Sequence, residues 1–249
     1  FFAMINLSFV DNNEIFAHAG RIFHPNLTLD NYKNVFTEIP ITLYFFNSLI
    51  VATITTIGQV IFSALAGYAF ARLDFKYKNA LFLLILITML IPPQVNIIPL
   101  FFLMRELHLI DTYQALILPA LFGGFGIFLM RQAFLGIPKE MEEAAIVDGC
   151  NVFQVFWKVL MPMVKPSLAV LAIFTFIGSW GEFLWPSIVL TKESMYTLPV
   201  GVNNLQGMFS SNWRFIAAGS ILSTIPILIF FLAMQRYFIS GENEGAVKG

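Results

Sequence analysis

The chain has 249 residues, 58% hydrophobic and 12% charged, with a formal net charge of −1 and a mean hydropathy of +0.77. Soluble domains carry about 25% charged residues, so a soluble core wrapped in polar surface is excluded and the chain reads as a polytopic membrane protein. The near-neutral charge offers no basic stripe for nucleic acid, and one cysteine, Cys150, excludes an intrachain disulfide and a cysteine metal cluster.

The elements follow from the charge-free runs. FFAMINLSFV, at 1–10, is about half of a spanning helix, which needs roughly 20 residues; it is expected to be the closing part of a first span. Further spans are predicted at about 42–71, 79–104, 112–131, 166–191 and 215–238, each long enough to cross a hydrocarbon core of about 30 Å. The segment 166–191 is interrupted only by Glu182. Helices satisfy their own backbone groups, as lipid requires. The reading is one all-α transmembrane domain over 1–249: a six-helix bundle with its first helix partly present and a long loop at 132–165.

Loop charge orients the bundle. Nine of the fourteen basic residues lie at 72–78 (Arg72, Lys76, Lys78), at 131–165 (Arg131, Lys139, Lys158, Lys165) and in the tail (Arg236, Lys248). Arg21, Lys33, Arg105, Lys192 and Arg214 lie on the other side. The positive-inside rule puts the first group and the C-terminus in the cytoplasm; the loops 11–40 and 192–213 then face outward. His18, His24 and His108 are scattered and share no helical turn with a second plausible metal ligand.

Helix breakers interrupt the spans at Pro92-Pro93, Pro99, Pro119, Pro186 and Pro226. Proline removes a helical hydrogen bond and frees a carbonyl that must be satisfied in a bundle or beside water. Bent, cavity-lining helices would explain them; so would the ordinary frequency of proline in membrane helices. GGFG at 123–126 lacks the Lys-Ser/Thr of a phosphate-binding loop and is expected to allow close helix packing.

The loop 142–162, EEAAIVDGCNVFQVFWKVLMP, breaks the apolar pattern with four charges. On helical geometry Gly149, Val152, Phe153, Phe156 and Leu160 form an apolar stripe beside Asn151, Gln154 and Lys158. An amphipathic helix lying in the lipid interface is usually rich in Lys and Arg, whereas this one opens with Glu140, Glu142 and Glu143, so a protein partner suits it better. Glycine is costly inside a helix, so two short helices are predicted to meet at Asp148-Gly149. The first would insert into a partner, and the second, stopped by Pro162, would pack on the bundle. The alternative is a helix pair that only stacks on its own spans.

Glu143-Ala144-Ala145, then Gly149, then Val159-Leu160-Met161-Pro162 resembles the signature of permease subunits in ATP-binding-cassette importers, with Val159 and Met161 where isoleucine and leucine are more usual. NSLIVATITTIGQVIFSALAGYAFARLDF, SWGEFLWPSIVL, TLPVGVNNLQG and the closing QRYFISG and GAVKG are similar to the carbohydrate-uptake branch, the relatives of the maltose permeases. Gly181 departs from the asparagine frequent there. The resemblance implies a permease subunit, not an enzyme, in an ATP-driven, binding-protein-dependent importer of a sugar, oligosaccharide or sugar derivative in a bacterial or archaeal cytoplasmic membrane. It implies an ATPase-coupling set of Glu143, Ala144, Ala145, Asp148, Gly149, Val152, Phe153, Leu160 and Pro162. The implied partners are a second permease, an ATPase dimer that carries the ATP and magnesium, an extracytoplasmic solute-binding protein and the lipid bilayer. No cofactor is expected on this chain.

Polar groups within the spans are candidates for the substrate path: Asn47, Ser48, Thr55, Gln59, Gln94, Asn96, Trp180, Glu182 and Trp185. The tryptophans could stack on sugar rings or anchor at the membrane interface. Glu182 could face the bundle interior or contact a neighbouring loop. A non-carbohydrate importer would share the loop signature. A secondary transporter would be expected to carry internal repeats and midplane ion sites, and an intramembrane enzyme would need a catalytic set; neither is visible.

Overall fold

The computed structural model describes residues 2–10, 27–208 and 213–245, with backbone alone for 206–208 and 234–245. Of the residues singled out above, His18, His24, Arg21 and Lys248 lie outside it, as do the Arg236 side chain and GAVKG's last four residues. Among the described residues there is no strand, only an isolated bridge between Val10 and Leu27.

Helices α1 (Phe2–Ser8) and α2 (Asp30–Glu38) precede the long α3 (Ile41–Arg72). At 32 residues α3 is about 48 Å long, more than a hydrocarbon core. Then follow α4 (Lys78–Thr88), a 3₁₀ turn Pro93–Asn96, α5 (Ile97–Glu106), α6 (Tyr113–Ala120) and α7 (Gly124–Leu135). The central loop holds α8 (Glu140–Val147), α9 (Val152–Gln154), a π-helical segment Val155–Leu160 and α10 (Met161–Met163). The chain closes with α11 (Lys165–Gly181), α12 (Leu184–Val189), a 3₁₀ turn Glu193–Met195, α13 (Leu198–Met208) and α14 (Trp213–Gly245).

Three predicted spans are broken. The 79–104 segment bends by 93° between Thr88 and Pro93. Pro92 is extended (ψ 131°) and has no N–H to give, so α4 cannot continue through it. The 112–131 segment is α6 and α7, joined at 42° through 121–123. The 166–191 segment ends as a helix at Gly181 and resumes as α12 after the extended Glu182. Pro162 does not stop the helix before it: the turn runs to Met163 and then bends by 76° into α11. By length and apolarity Ile41–Arg72 and Trp213–Ala233 can each cross a membrane, and each bent pair can do so as one broken span.

Packing is closest where side chains are smallest. A Cβ at Gly126 would fall 2.3 Å from Ser63 Oγ, so α7 can lie on α3 there only without a side chain. Three apolar clusters hold the bundle. One, with Tyr44, Phe176, Trp180 and Leu205, joins α2, α3, α11, α13 and α14. A second, with Met104, Leu116 and Val189, joins α5, α6 and α12 to α3. The third, with Tyr68, Met130, Phe134, Phe156 and Leu160, lies at the opposite end of α3 and seats the central loop on α3, α7 and α11.

At the end of α3 that carries Tyr44, Asp111 ties two loops together. Its carboxylate accepts from the Thr191 and Lys192 amides and from Thr191 Oγ1 at 2.7 Å. Partial burial pushes the Asp111 carboxyl up, but these hydrogen bonds and the Lys192 charge together hold it below the usual carboxylate value. A depressed carboxyl contributes stability that is present above its unfolded pKa and lost as pH falls through the folded one. Asp111→Asn is therefore expected to lower the thermal stability of the purified protein at neutral pH, and the gap to wild type should close as pH drops below the carboxylate range.

Candidate functional site

Two features on α3 stand out: a cavity midway along it and an exposed corner at its Arg72 end. The cavity, of about 630 Å³, is lined by the broken segments. Pro93, Pro119 and Pro186 all face it, so the breaks lie where freed backbone groups have an opening beside them. Among the candidate path residues, Thr55, Gln59, Gln94, Asn96, Glu182 and Trp185 line it. Gly123 makes room for Gln59, since a Cβ there would fall 2.0 Å from Gln59 Nε2. Phe122, Phe125 and Phe174 add aromatic faces.

Glu182 and Trp185 have structural partners as well. Glu182 Oε1 accepts from the Trp185 amide in the first turn of α12 at 3.2 Å, and Trp185 Nε1 donates to the Ala115 carbonyl at 2.9 Å. Two lining hydroxyls differ: Thr55 Oγ1 and Thr197 Oγ1 are buried with no hydrogen-bond partner among the described residues. Such orphans are uncommon in folded proteins. Thr197 was not singled out in the sequence: it opens TLPVGVNNLQG, beyond the uncharged runs in which path residues were sought.

Three expected path residues lie elsewhere. Asn47 donates to the Ser194 and Tyr196 carbonyls at 3.0 and 2.9 Å and accepts from Tyr113 Oη at 2.7 Å. Ser48 Oγ accepts from the Leu198 amide at 2.7 Å. Both are buried latches that hold the 193–198 turn against α3, helped by Tyr44 Oη, which donates to Glu193 at 2.8 Å. Trp180 is only 1% exposed; it stacks on Phe176 and donates from Nε1 to the Ser223 carbonyl at 3.0 Å. It is core, neither a sugar platform nor an interface anchor.

The corner is built by local capping. Helix α8 closes at Val147, and Gly149 follows with φ +87°, a region that favours glycine. The Gly149 amide bonds the Ile146 carbonyl at 3.0 Å and the Cys150 amide the Ala145 carbonyl at 2.9 Å, the paired bonds of a Schellman stop. Asn151 and Gln154 then cap the next helix reciprocally. Nothing lies within 4 Å of a Cβ built at Gly149, so the backbone angle is what demands glycine there.

The residues expected to meet an ATPase divide between two faces. Ala145 and Leu160 are buried in the cluster around Phe134, with Phe156. Glu143, Ala144, Asp148, Gly149, Val152, Phe153 and Pro162 are exposed, as are Ile146 and Val147. Val147 is 87% and Phe153 68% exposed, so the tip of the corner is apolar and uncovered within this chain. The predicted stripe is thus split: Phe156 and Leu160 pack inward, Val152 and Phe153 point away.

What fastens the corner was not singled out in the sequence. Arg72, the last residue of α3, forms an ion pair with Glu142 of α8, the two side chains 5% and 17% exposed. Its Nη2 also donates to the Phe134 carbonyl at 2.7 Å and to the Ile137 carbonyl, at the end of α7. The signal was there: Arg72 is the first charge after the long uncharged run of α3, and Glu142 adjoins Glu143.

Comparison with known proteins agrees with this architecture. Residues 59–241 match the model of the family described as the binding-protein-dependent transport system inner membrane component. The chain is 41% identical over 254 residues to the arabinooligosaccharides transport system permease protein AraQ of Halalkalibacterium halodurans, covering 100% of this chain and 91% of the relative. It is 34% identical to the lactose transport system permease protein LacG of Rhizobium radiobacter, over 92% and 84% of the two chains. In fold it is similar to a chain of a bacterial ABC transporter involved in the import of the acidic polysaccharide alginate, with a TM-score of 0.83 at 24% identity over 95% and 89% of the two chains. With the family model covering most of the chain and a relative matched over all of this chain, the protein belongs to the inner-membrane permease components of binding-protein-dependent ABC transport systems.

Proposed function

We propose that this chain is one of two permease subunits of an ATP-driven importer for a sugar, oligosaccharide or sugar derivative, and that the α8–α9 corner is the element its ATPase drives. The observation that carries the reading is the uncovered apolar tip at Ile146, Val147, Val152 and Phe153, clamped to the end of α3 by the buried Arg72–Glu142 pair. Fully burying a Val, Ile or Phe side chain contributes about 1.5–3 kcal/mol, which favours a protein cleft as the tip's surroundings. The Lys and Arg residues in 72–78 and 131–165 favour the cytoplasmic side for this end. A separate ATPase dimer there would hold ATP and magnesium, and a solute-binding protein would meet the opposite end around α13.

The mechanism is a shift between two populations of the bundle. An ATPase can bias that equilibrium only if its closed form contacts one state better than the other. Closure that moves α8 pulls on Glu142, hence on Arg72, hence on α3, which lines the cavity through Thr55 and Gln59. Breaking a buried ion pair costs about 3–5 kcal/mol, enough for α8 and α3 to move together.

The cavity supports a hydroxyl-rich cargo. Amide and carboxylate groups from Gln59, Gln94, Asn96 and Glu182 lie among aromatic faces, and the Thr55 and Thr197 hydroxyls have capacity left unused. Relatives named for arabinooligosaccharide and lactose transport favour the same class.

Gly149→Asp tests the coupling reading. Aspartate enters the left-handed region more readily than most side chains, and nothing crowds the position, so the bundle should form and insert. The new side chain and charge sit on the docking face; the ATPase should no longer copurify and ATP-dependent uptake should be lost. Full uptake by that variant would overturn the reading. For the cargo path, Thr55→Val and Thr197→Val remove only a hydroxyl; each is expected to raise the KM of uptake about 10-fold, the cost of roughly one lost hydrogen bond, with transporter levels unchanged.

A further inference from the structure

A second opening lies at the α3–α4 turn, apart from the cavity and the α8 corner. It has a volume of about 530 Å³ and is lined by Asp74, Phe75, Tyr77, Lys78, Asn79 and Arg131, among others. The turn joins the uncharged stretches of α3 and α4, and its cluster of Asp74, Lys76 and Lys78 suits the level where hydrocarbon gives way to headgroups.

Arg131 is the centre of this opening. It is half-buried, its Nε donates to the Phe70 carbonyl at 3.2 Å, and its guanidinium lies 4.2 Å from the centroid of the Phe82 ring. Phe70 contacts both Phe75 and Phe82, so the ring that carries the guanidinium is itself packed in an aromatic cluster. Yet among the described residues no carboxylate lies within ion-pair distance of it. Asp74, the one acid in the opening, lies 3.7 Å from Lys78 Nζ, with its own side chain fully exposed; Lys78 also donates to the Leu73 carbonyl. Lys76 lies 4.8 Å over the exposed Tyr77 ring at the rim. Arg131 and Lys78, the two cations that line the opening, therefore share one carboxylate there, and the more constrained of the two has none within ion-pair distance.

We infer that this opening binds the phosphate of an anionic phospholipid, with Arg131 as the main ligand and Lys78 and Lys76 at its rim. A planar guanidinium offers a phosphate two parallel donors, and basic pockets between spans at the membrane boundary suit acidic headgroups. Tyr77 and Phe75, partly exposed beside it, suit the interface where the acyl chains begin.

The test uses the whole purified transporter in detergent. Phosphatidylglycerol, phosphatidylcholine and inorganic phosphate are added separately, and the thermal midpoint and the lipid retained in native mass spectrometry are read. Phosphatidylglycerol should raise the midpoint and remain bound, while phosphatidylcholine and phosphate should do neither. Arg131→Gln should abolish both effects and Arg131→Lys, which keeps charge but not the planar fork, should retain part. If Arg131→Gln does not assemble, Arg131→Lys and Lys78→Gln carry the comparison. Equal effects of the two lipids, the same gain from phosphate alone, or variants that respond like wild type would each overturn the assignment.

Discussion

The structure turns on a charge that cannot remain alone. Arg72 ends a helix whose preceding residues carry no charge, and its side chain is almost fully withdrawn from solvent. An unpaired buried guanidinium is costly, so its position dictates what must surround it. The Phe134 and Ile137 carbonyls, left over at the end of α7, accept two of its hydrogen bonds, and Glu142 supplies the counter-charge. The end of α3, the end of α7 and the start of α8 are thereby obliged to meet. The aromatic cluster of Tyr68, Phe134 and Phe156 fills the space beneath them.

Seen from this joint, α3 is a strut with work at both ends. Its far end holds the 193–198 turn through Tyr44, Asn47 and Ser48, and its middle lines the cavity with Thr55 and Gln59. A movement at α8 therefore has a continuous packed route to the cavity, without passing through the broken helices. Those breaks serve a different purpose. The spans that face α3 across the cavity are broken at 89–92, 121–123 and 182–183, near Pro93, Pro119 and Pro186, which leaves the opening bounded by one unbroken helix and several segmented ones.

Much of this was legible in the sequence. The long apolar run at 42–71 fixes α3 almost to the residue, and the turn expected at Asp148-Gly149 is where α8 stops; the Asn151–Gln154 cap was hidden, because the same two residues also fit a polar stripe. At 79–104, 112–131 and 166–191 the prolines left bent helices and ordinary membrane prolines as equal readings, because hydropathy counts apolar residues without regard to direction; the structure breaks all three. Asn47, Ser48 and Trp180 were expected on the path and are instead a loop anchor and core. A polar group in a span marks a need for a partner, and the partner proved to be distant backbone, the 193–198 turn for Asn47 and Ser48 and a carbonyl of α14 for Trp180. Arg72 and Glu142 were read as topology and loop charge, since no local pattern links residues so far apart in the chain.

The most direct test of this account is the amount of cargo moved per ATP hydrolysed, measured on the reconstituted transporter with Glu142→Ala beside wild type. The coupling free energies typical of linked sites correspond to factors of about 5–150. The account predicts that hydrolysis persists while cargo moved per ATP falls by a factor in that range, because α8 can still be driven but no longer carries α3 with it. An unchanged ratio would mean that the drive reaches the cavity by another route and that the Arg72–Glu142 pair is structural alone.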